Sequence, residues 1–309
     1  MSFDTHQLRA FAAVIREGSF ERASRALHVT PSAVSQRIKQ LEEVAGQVLV
    51  VRRTPCVPTR AGEVLYRHAL QVALLEAEVR AGMLEPDADR MASAATIAVA
   101  VNADSLATWL VPALAHFAEQ TGHRVEVVVD DEDHTAEWLR SGRVVGAVTS
   151  DARPVQGCSA EPLGVMRYRA SATPAFMQRW FGDGVTAEAL RRAPVVFYSR
   201  KDELQARFVR RALGLRGVTL TPHWIPGTTA YIDATLAGLG WGMHPEALMK
   251  SMMARRQLVE LVPGTVLDVP LHWQRWRLSS STLQQLDDAL RRAATTTLQT
   301  PRTTGRSRG

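Results

Sequence analysis

The spacing of apolar residues in the first 60 positions is that of helices rather than strands. Leu8, Phe11, Val14 and Ile15 form an apolar stripe that stops at Gly18, which predicts a first helix. A second, short helix is predicted from Ser19 onwards. Its inward face would consist of Phe20, Ala23, Ala26 and Leu27.

A third helix is predicted from Pro31 to about Ala45. Thr30 supplies an N-cap hydroxyl, and Pro31 stands at the first helical position, where its missing N–H costs nothing. The buried face at i, i+4 and i+7 would be Val34, Ile38 and Leu41. Residues 50–59 are β-prone, basic and broken by two prolines, which is typical of a wing hairpin.

A long helix without proline is predicted from Arg60 to about Leu84. Leu65, Val72 and Val79 repeat every seven residues with Leu75 between them, a seam similar to that of a coiled coil. At 1.5 Å per residue such a helix is a rod of about 36 Å. The segment 85–90 that follows is predicted to be a hinge.

Strands and helices alternate after residue 90. Strands are predicted at 97–101, 125–129 and 144–149, with helices at 105–121 and 134–141 between them. This βαβαβ order predicts an α/β domain with a parallel sheet and right-handed crossovers. Further predicted elements are strands at 166–171, 195–199 and 271–276, a tight bend at 238–242, a last helix at 281–298 and a disordered tail at 301–309.

Composition limits the class of protein. With 309 residues and 46% hydrophobic residues, the chain suits two or three compact units rather than a disordered or disulfide-stapled protein. The net charge is +6, and residues 1–69 hold ten Lys and Arg against six Asp and Glu, so most of the excess lies beside the predicted wing. Cys56 and Cys158 have no metal-ligand spacing, and Cys56 is expected to be buried. No signal peptide or membrane helix is predicted, so we expect a cytoplasmic protein that does not bind membranes.

The polar face of the third helix suits DNA. Ser32, Ser35, Gln36 and Lys39 recur at i, i+3, i+4 and i+7, and glutamine and serine can pair with base edges in the major groove. An ordinary amphipathic surface helix has the same pattern, but the short helix before it and the basic hairpin after it favour DNA binding. The predicted DNA-binding residues, which include arginines that reach phosphates, are Thr30, Pro31, Ser32, Ser35, Gln36, Arg37, Lys39, Arg52 and Arg53.

Polar residues also follow the predicted strands of the second half. Asn102, Asp104 and Ser105 open a helix, where unpaired N–H groups and a hydroxyl suit a carboxylate, although Asp104 equally suits an ordinary N-cap. Ligands of open α/β sheets bind at the carboxyl ends of strands. The other candidates for effector binding are therefore Asp131, Thr149, Tyr198, Asp202, Thr228 and Thr229. Trp273 and Trp276 favour core packing over ligand binding.

Catalytic motifs are absent from the sequence. It contains no GxSxG, HExxH or P-loop pattern, and its nine histidines show no metal-ligand spacing. We therefore expect a non-enzyme without a metal or other cofactor.

Residues 19–62, SFERASRALHVTPSAVSQRIKQLEEVAGQVLVVRRTPCVPTRAG, resemble the DNA-binding domain of LysR-type transcriptional regulators. The segments NADSLATWL, DDEDHT, GAVTS, GLGWG and LHWQRW resemble the ArgP/LysG-like branch, which senses basic amino acids. The resemblance covers nearly the whole chain except the tail. The wing departs from it, since it is about a residue shorter than usual and carries Pro55 and Pro58.

The resemblance implies a winged helix-turn-helix, a linker helix and a two-subdomain, Rossmann-like effector domain similar to periplasmic binding proteins. The implied division is 1–60 for DNA binding, 61–90 for dimerisation and hinge, 91–300 for the effector domain and 301–309 for the tail. Subdomain I would comprise 91–165 and 268–300, and subdomain II would comprise 166–267.

The resemblance also implies partners and a function. The expected partners are double-stranded DNA, a second or further copies of the chain as a homodimer or homotetramer, RNA polymerase, and an effector. That effector would be lysine or arginine, or else histidine, held by carboxylates such as Asp104, Asp131 and Asp202, and the target an exporter gene that the regulator activates. Alternatives are a LysR-type regulator of another metabolite, a solute-binding module without regulation, which residues 19–59 disfavour, and an architectural DNA protein.

Overall fold

The computed structural model describes residues 2–83, 94–130 and 135–300. It begins with three helices, α1 (Thr5–Glu17), α2 (Phe20–Ala26) and α3 (Pro31–Ala45), as predicted. Each helix starts at a side-chain cap, since Asp4, Ser19 and Thr30 accept hydrogen bonds from the backbone N–H three residues further on. These caps satisfy N–H groups that have no partner within the helix, and so they fix where each helix begins.

The three helices share one small hydrophobic core. The predicted apolar faces of α1 and α3 are buried in it, with Phe11, Val34 and Ile38 completely inaccessible. The inward face predicted for α2 is wrong at one position, because Ala26 is exposed and Ser24 is buried. Ser24 tolerates burial because its hydroxyl donates to the Glu21 carbonyl at 2.9 Å.

A hairpin follows where the wing was predicted. Strands β1 (Val50–Val51) and β2 (Val57–Pro58) pair antiparallel. Between them, Cys56 is buried as expected, and its N–H donates to the Gly18 carbonyl at 2.8 Å. The hairpin is thereby attached to the end of α1.

The helix α4 (Arg60–Met83) confirms the long helix predicted from Arg60 to about Leu84. Leu65 and Tyr66 in its first half pack in the N-terminal core, and Leu74 in its second half belongs to the larger core of the following domain. Part of the predicted seam stays outside both cores: Leu75 is 37% exposed and Val79 is 61% exposed. The predicted hinge at 85–90 lies outside the described residues.

Three parallel strands form one half of the main sheet, as predicted. Strands β3 (Thr96–Val101), β4 (Arg124–Val129) and β5 (Gly146–Thr149) lie in the order β5-β3-β4. A helical rod leads from β3 to β4 and consists of α5 (Ala103–Ser105), a π-helical turn at Leu106–Leu110 and α6 (Val111–Thr121). Helix α7 (Thr135–Arg140) leads to β5.

The other half of the sheet is antiparallel, which makes the whole sheet mixed. Strand β6 (Cys158–Ala172) pairs with β11 (Leu267–Trp276), and β11 also pairs with β5. Two short strands, β9 (Gly242–Pro245) and β10 (Val259–Glu260), pair with β6, while β7 (Pro194–Phe197) and β8 (Thr221–Trp224) form a separate parallel pair. Strand β6 begins eight residues before the predicted strand at 166–171, because Pro162 and Gly164 interrupt its apolar pattern.

Six further helices follow among the described residues. They are α8 (Pro174–Phe181), α9 (Ala187–Arg192), α10 (Leu204–Arg207) with a π-helical turn at Phe208–Ala212, α11 (Thr228–Leu236), α12 (Glu246–Ala254) and α13 (Ser281–Thr297). Helix α13 confirms the predicted last helix. Within the described residues, no helix combines the length and apolar character needed to span a bilayer.

Trp273 and Trp276 lie in the core, as predicted, with 2% and 0% exposure. The Trp273 ring covers Gly146 so closely that a Cβ at that position would overlap it. Its indole N–H donates to Asp287 on α13 at 2.7 Å. This tryptophan therefore joins α13 to the sheet beneath it.

We predict that Leu41→Ala destabilises the N-terminal core by about 2–5 kcal/mol, because Leu41 is completely buried and the substitution leaves a cavity. All seven tryptophans lie at position 109 or beyond, so fluorescence reports on the second domain, whereas circular dichroism reports on both. In urea, part of the circular dichroism signal of Leu41→Ala should be lost at a lower urea concentration than in the parent. The fluorescence transition should not change. The exposed control Glu43→Ala should change stability by less than about 0.5 kcal/mol.

A second prediction concerns His123, whose Nδ1 accepts the Ala95 N–H at 3.1 Å while Nε2 lies 3.2 Å from the Thr282 hydroxyl. Burial lowers the pKa of His123 below its ordinary 6.5, so the unfolded chain takes up the proton first. The stabilisation is therefore present above about pH 6.5 and is lost as the pH falls through the folded pKa. His123→Asn keeps an acceptor without titrating. It should show a smaller fall in unfolding free energy between about pH 7 and about pH 5 than the parent; equal falls would contradict this assignment.

Candidate DNA-binding surface and ligand cleft

The exposed face of α3 carries the residues predicted to read DNA. Ser32, Gln36 and Lys39 are exposed and Ser35 is half-buried, while the opposite face is in the core. Thr30 caps the helix, and its hydroxyl lies 3.0 Å from that of Ser32. Short polar side chains at this end let the helix approach a groove closely.

The predicted arginines lie around this helix. Arg37 is half-buried beside the polar face, and Arg52 and Arg53 are exposed at the tip of the wing. The Arg52 guanidinium stacks over the Phe20 ring at 5.1 Å, which holds it in a fixed position between wing and α2. Together these cations give the surface the charge that phosphate contacts need.

A cleft opens in the second domain where β3 and β7 end. It encloses about 650 Å³ when its open mouth is counted. One wall comes from Asn102, Ala103, Asp104 and Asp130. The residues of the other wall are Tyr198, Asp202, Glu203, Leu204, Arg207, Thr228, Tyr231, Ile232, Met243, His244, Pro245 and Leu248. Both walls thus present strand ends and helix starts, the usual position for a ligand in an α/β domain.

The start of α5 holds two buried polar side chains without a partner among the described residues. Asn102 is 2% exposed and Ser105 is completely buried, yet neither the Asn102 amide nor the Ser105 hydroxyl makes a hydrogen bond there. Buried polar groups are normally satisfied, so such a pair points to a polar partner from outside the chain. Asn102 lines the cleft.

The predicted aspartates Asp104 and Asp202 both line the cleft but are engaged within the protein. Asp104 accepts the Tyr168 hydroxyl at 2.8 Å. Asp202 accepts the backbone N–H groups of Tyr198 and Leu204, each at 3.0 Å. Burial raises the pKa of Asp202 although these hydrogen bonds oppose the shift. Asp202 therefore shapes its loop as a local cap.

Tyr231 and His244 form a buried patch of the second wall that sequence reasoning missed. The Tyr231 hydroxyl donates to the Val196 carbonyl and accepts the Met243 N–H. His244 is completely buried with its ring edge against Tyr231, and Nδ1 lies 3.0 Å from the Ser171 hydroxyl. Burial lowers the pKa of His244 to about 4, so this ring is neutral near pH 7.

Asp130 is a further carboxylate that the sequence analysis missed in favour of its neighbour Asp131. One of its oxygens accepts the Trp138 indole N–H at 3.0 Å, and the other lies 3.6 Å from the ammonium of Lys201. Lys201 does not itself line the cleft, but it lies on the loop after β7 between the lining residues Tyr198 and Asp202. The ion pair thus joins Asp130 to the loop that carries part of the opposite wall.

Of the remaining residues predicted to bind the effector, only some line the cleft. Tyr198 and Thr228 line the cleft, whereas Thr229 is exposed and is not among the lining residues. Thr149 is buried, and its hydroxyl accepts the Asp151 N–H at 3.2 Å, which places it in a turn outside the lining. Asp131 lies outside the described residues.

Comparison with known families matches both halves of the chain. Residues 5–63 match the bacterial regulatory helix-turn-helix proteins of the lysR family, and residues 92–296 match the LysR substrate binding domain. The lysine export transcriptional regulatory protein LysG of Corynebacterium efficiens is 44% identical over 291 residues, which cover 93% of this chain and 96% of that protein.

Two solved structures share the arrangement. ArgP from Mycobacterium tuberculosis has a TM-score of 0.85 and 44% identity, covering 97% of this chain and 100% of that one. Full-length LysG from Corynebacterium glutamicum with bound effector Arg has a TM-score of 0.76 and 38% identity, covering 96% and 99%. From the paired domain matches and these relatives, the chain belongs to the LysR family of DNA-binding transcriptional regulators, in the LysG/ArgP branch.

Proposed function

We propose that this chain senses L-lysine or L-arginine in the cleft and, when it is bound, activates a gene for a basic amino-acid exporter. The observation that carries the ligand is that the unsatisfied Asn102 and Ser105 lie at the start of α5, on the side of the cleft that also carries the carboxylates of Asp104 and Asp130. A relative with bound arginine and another that regulates lysine export support the same effector class and target.

A basic amino acid matches this cleft at both ends. Its α-carboxylate would meet the start of α5, where the Asn102 amide and Ser105 hydroxyl can donate to it. Its distal cation would meet Asp130, whose carboxylate lies on the same wall. Asp104, Tyr198 and Thr228 would surround the α-amino group, and Asp131 would contact the ligand as well.

For DNA, the proposed reading residues are Ser32, Ser35, Gln36 and Lys39 on α3, with Thr30 and Pro31 at its start. Arg37, Arg52 and Arg53 would bind phosphates. The exposed apolar positions of α4, including Leu75 and Val79, would pair two copies of the chain, so that two winged domains meet successive major grooves.

The proposed division into units is 1–60, 61–90 and 91–300, with the cleft between subdomains 91–165 plus 268–300 and 166–267. Effector binding would shift the population between two assemblies, which requires that the ligand bind one of them more tightly. That shift would change the contacts with promoter DNA or RNA polymerase. No cofactor takes part in this scheme.

The ligand prediction is selective stabilisation by lysine or arginine among the twenty amino acids in a thermal-shift screen. A ligand at 100 times its dissociation constant adds about 2.7 kcal/mol to the free energy of unfolding. Asp130→Asn should weaken binding of the cationic amino acids about tenfold or more, because a charged hydrogen bond contributes about 1.5–3 kcal/mol.

Asp183→Asn is the matched control, since Asp183 is exposed and lies outside the cleft lining; it should bind as the parent does. If millimolar lysine and arginine leave the melting temperature unchanged, the chain is not a basic amino-acid sensor. Stabilisation by an unrelated metabolite would make it a regulator of that metabolite.

The DNA prediction separates base reading from phosphate binding. With an operator selected from random-sequence DNA, Gln36→Ala should cost about 1–3 kcal/mol and relax the preference at one base pair. Arg53→Ala should weaken binding to all sequences and reduce the salt dependence of log K by about 0.9. Fluorescence anisotropy over a salt series measures both. An unchanged sequence preference in Gln36→Ala would remove that residue from the base-reading set.

A further inference from the structure

Lys201 and Asp130 meet across the cleft, and their environments differ. Asp130 is on the wall formed by the end of β4, with its side chain 24% exposed, and Lys201 is on the loop after β7, with its side chain 55% exposed. The distance between ammonium and carboxylate is 3.6 Å. The lysine is thus a partly exposed cation beside the cleft that reaches a carboxylate lining it.

The orientation of the Asp130 carboxylate is set by its second oxygen. The Trp138 indole N–H donates to that oxygen at 3.0 Å. The oxygen that faces Lys201 is therefore directed to the opposite wall, where a ligand in the cleft would also lie.

Asp104 and Asp202 also line the cleft, but their carboxylates are hydrogen-bonded to groups of the protein itself. Asp104 holds the Tyr168 hydroxyl, and Asp202 holds the backbone of its own loop through Tyr198 and Leu204. Displacing those donors would leave buried polar groups unsatisfied, which is costly. Displacing the ammonium of Lys201 instead returns it to water, because more than half of its side chain is already exposed.

We infer that Lys201 is a tethered competitor that sets the affinity of the cleft for cationic amino acids by occupying the carboxylate that their distal cation needs. This rests on the proposed function. The ammonium of lysine and that of Lys201 are the same chemical group, so only one of them can use the facing oxygen of Asp130 at full strength. A neutral amino acid does not enter this competition, and Lys201 therefore affects cationic and neutral ligands differently.

The test is calorimetric titration of the full-length chain with L-lysine, L-arginine and the neutral L-norleucine. Lys201→Met keeps the aliphatic stem and removes the charge. Because a partly exposed ion pair contributes about 0.2–1 kcal/mol, Lys201→Met should bind the cationic amino acids about 1.5- to 5-fold more tightly, with no gain for norleucine. The gain should shrink as salt is raised, since salt screens partly exposed pairs.

Two further variants test whether the change in affinity comes from the ion pair between Lys201 and Asp130. Lys250→Met makes the same chemical change at an exposed position of α12, away from the loop that holds Lys201, and its affinities should equal those of the parent. In an Asp130→Asn background, adding Lys201→Met should change nothing, because the carboxylate for which the two cations compete is already gone.

The outcomes are distinguishable. If the parent binds lysine or arginine and Lys201→Met binds them equally well or more weakly, the inference is overturned, and weaker binding would make Lys201 a clamp on the ligand. If the gain persists in the Asp130→Asn background, the competition is not at Asp130 and the inference is overturned as well. If the parent binds neither amino acid, the proposed function fails and the inference fails with it.

Discussion

The antiparallel ladder between β6 and β11 is the interaction on which the cleft depends. The two strands pair from Cys158 with Trp276 to Tyr168 with Leu267, and they carry the chain from the β3-β4-β5 side of the sheet to the β9-β10 side and back. Arg167 and Asp268 are paired in this ladder and form a two-pronged ion pair at 2.8 and 3.1 Å. Because the walls of the cleft lie on either side of this ladder, it fixes how far apart their strand ends can be.

Local signals in the sequence were sufficient for α1, α3, α4 and the three parallel strands. Side-chain caps such as Thr30 and apolar spacing such as Val34 and Ile38 act within a few residues, so a pattern along the chain captures them. The ladder between β6 and β11, by contrast, is a long-range interaction. Pairing of Leu267 with Tyr168 joins residues about a hundred positions apart, and a glycine and a proline inside β6 hide its length.

The sequence pattern was also insufficient for assigning roles to single residues of the cleft. Sequence reasoning placed polar residues at strand ends, and Asn102, Asp104, Tyr198 and Asp202 do line the cleft. It could not tell which of them the protein uses for its own loops, as it does Asp202. Nor could it single out Asp130, because Asp130 and Asp131 both follow directly after the correctly predicted end of β4 at Val129. The Asp130 N–H still pairs with the Val101 carbonyl at 3.0 Å, which keeps Asp130 at the edge of the sheet.

The attachment of α4 constrains how a ligand can influence DNA binding. Arg67 donates to the Arg140 carbonyl at 2.6 Å, and Glu78 accepts the Ser280 hydroxyl and the Thr282 N–H at the start of α13. Burial raises the pKa of Glu78, but these hydrogen bonds outweigh it and the net shift is downward, so the ionised carboxylate is favoured there.

Both attachments hold α4 to the side of the domain that carries Asn102 and Asp130. If a ligand draws the opposite wall towards this side, the linker helix and the DNA-binding helices keep their place on the stationary wall. What changes is the surface that the moving wall presents, around Lys201 and the loops beside it. Such a change reaches DNA only where that surface meets another copy of the chain or another protein. Under the proposed function, coupling between ligand and DNA would therefore be a property of the assembly, and its size would be limited by the difference in ligand affinity between two assembled states.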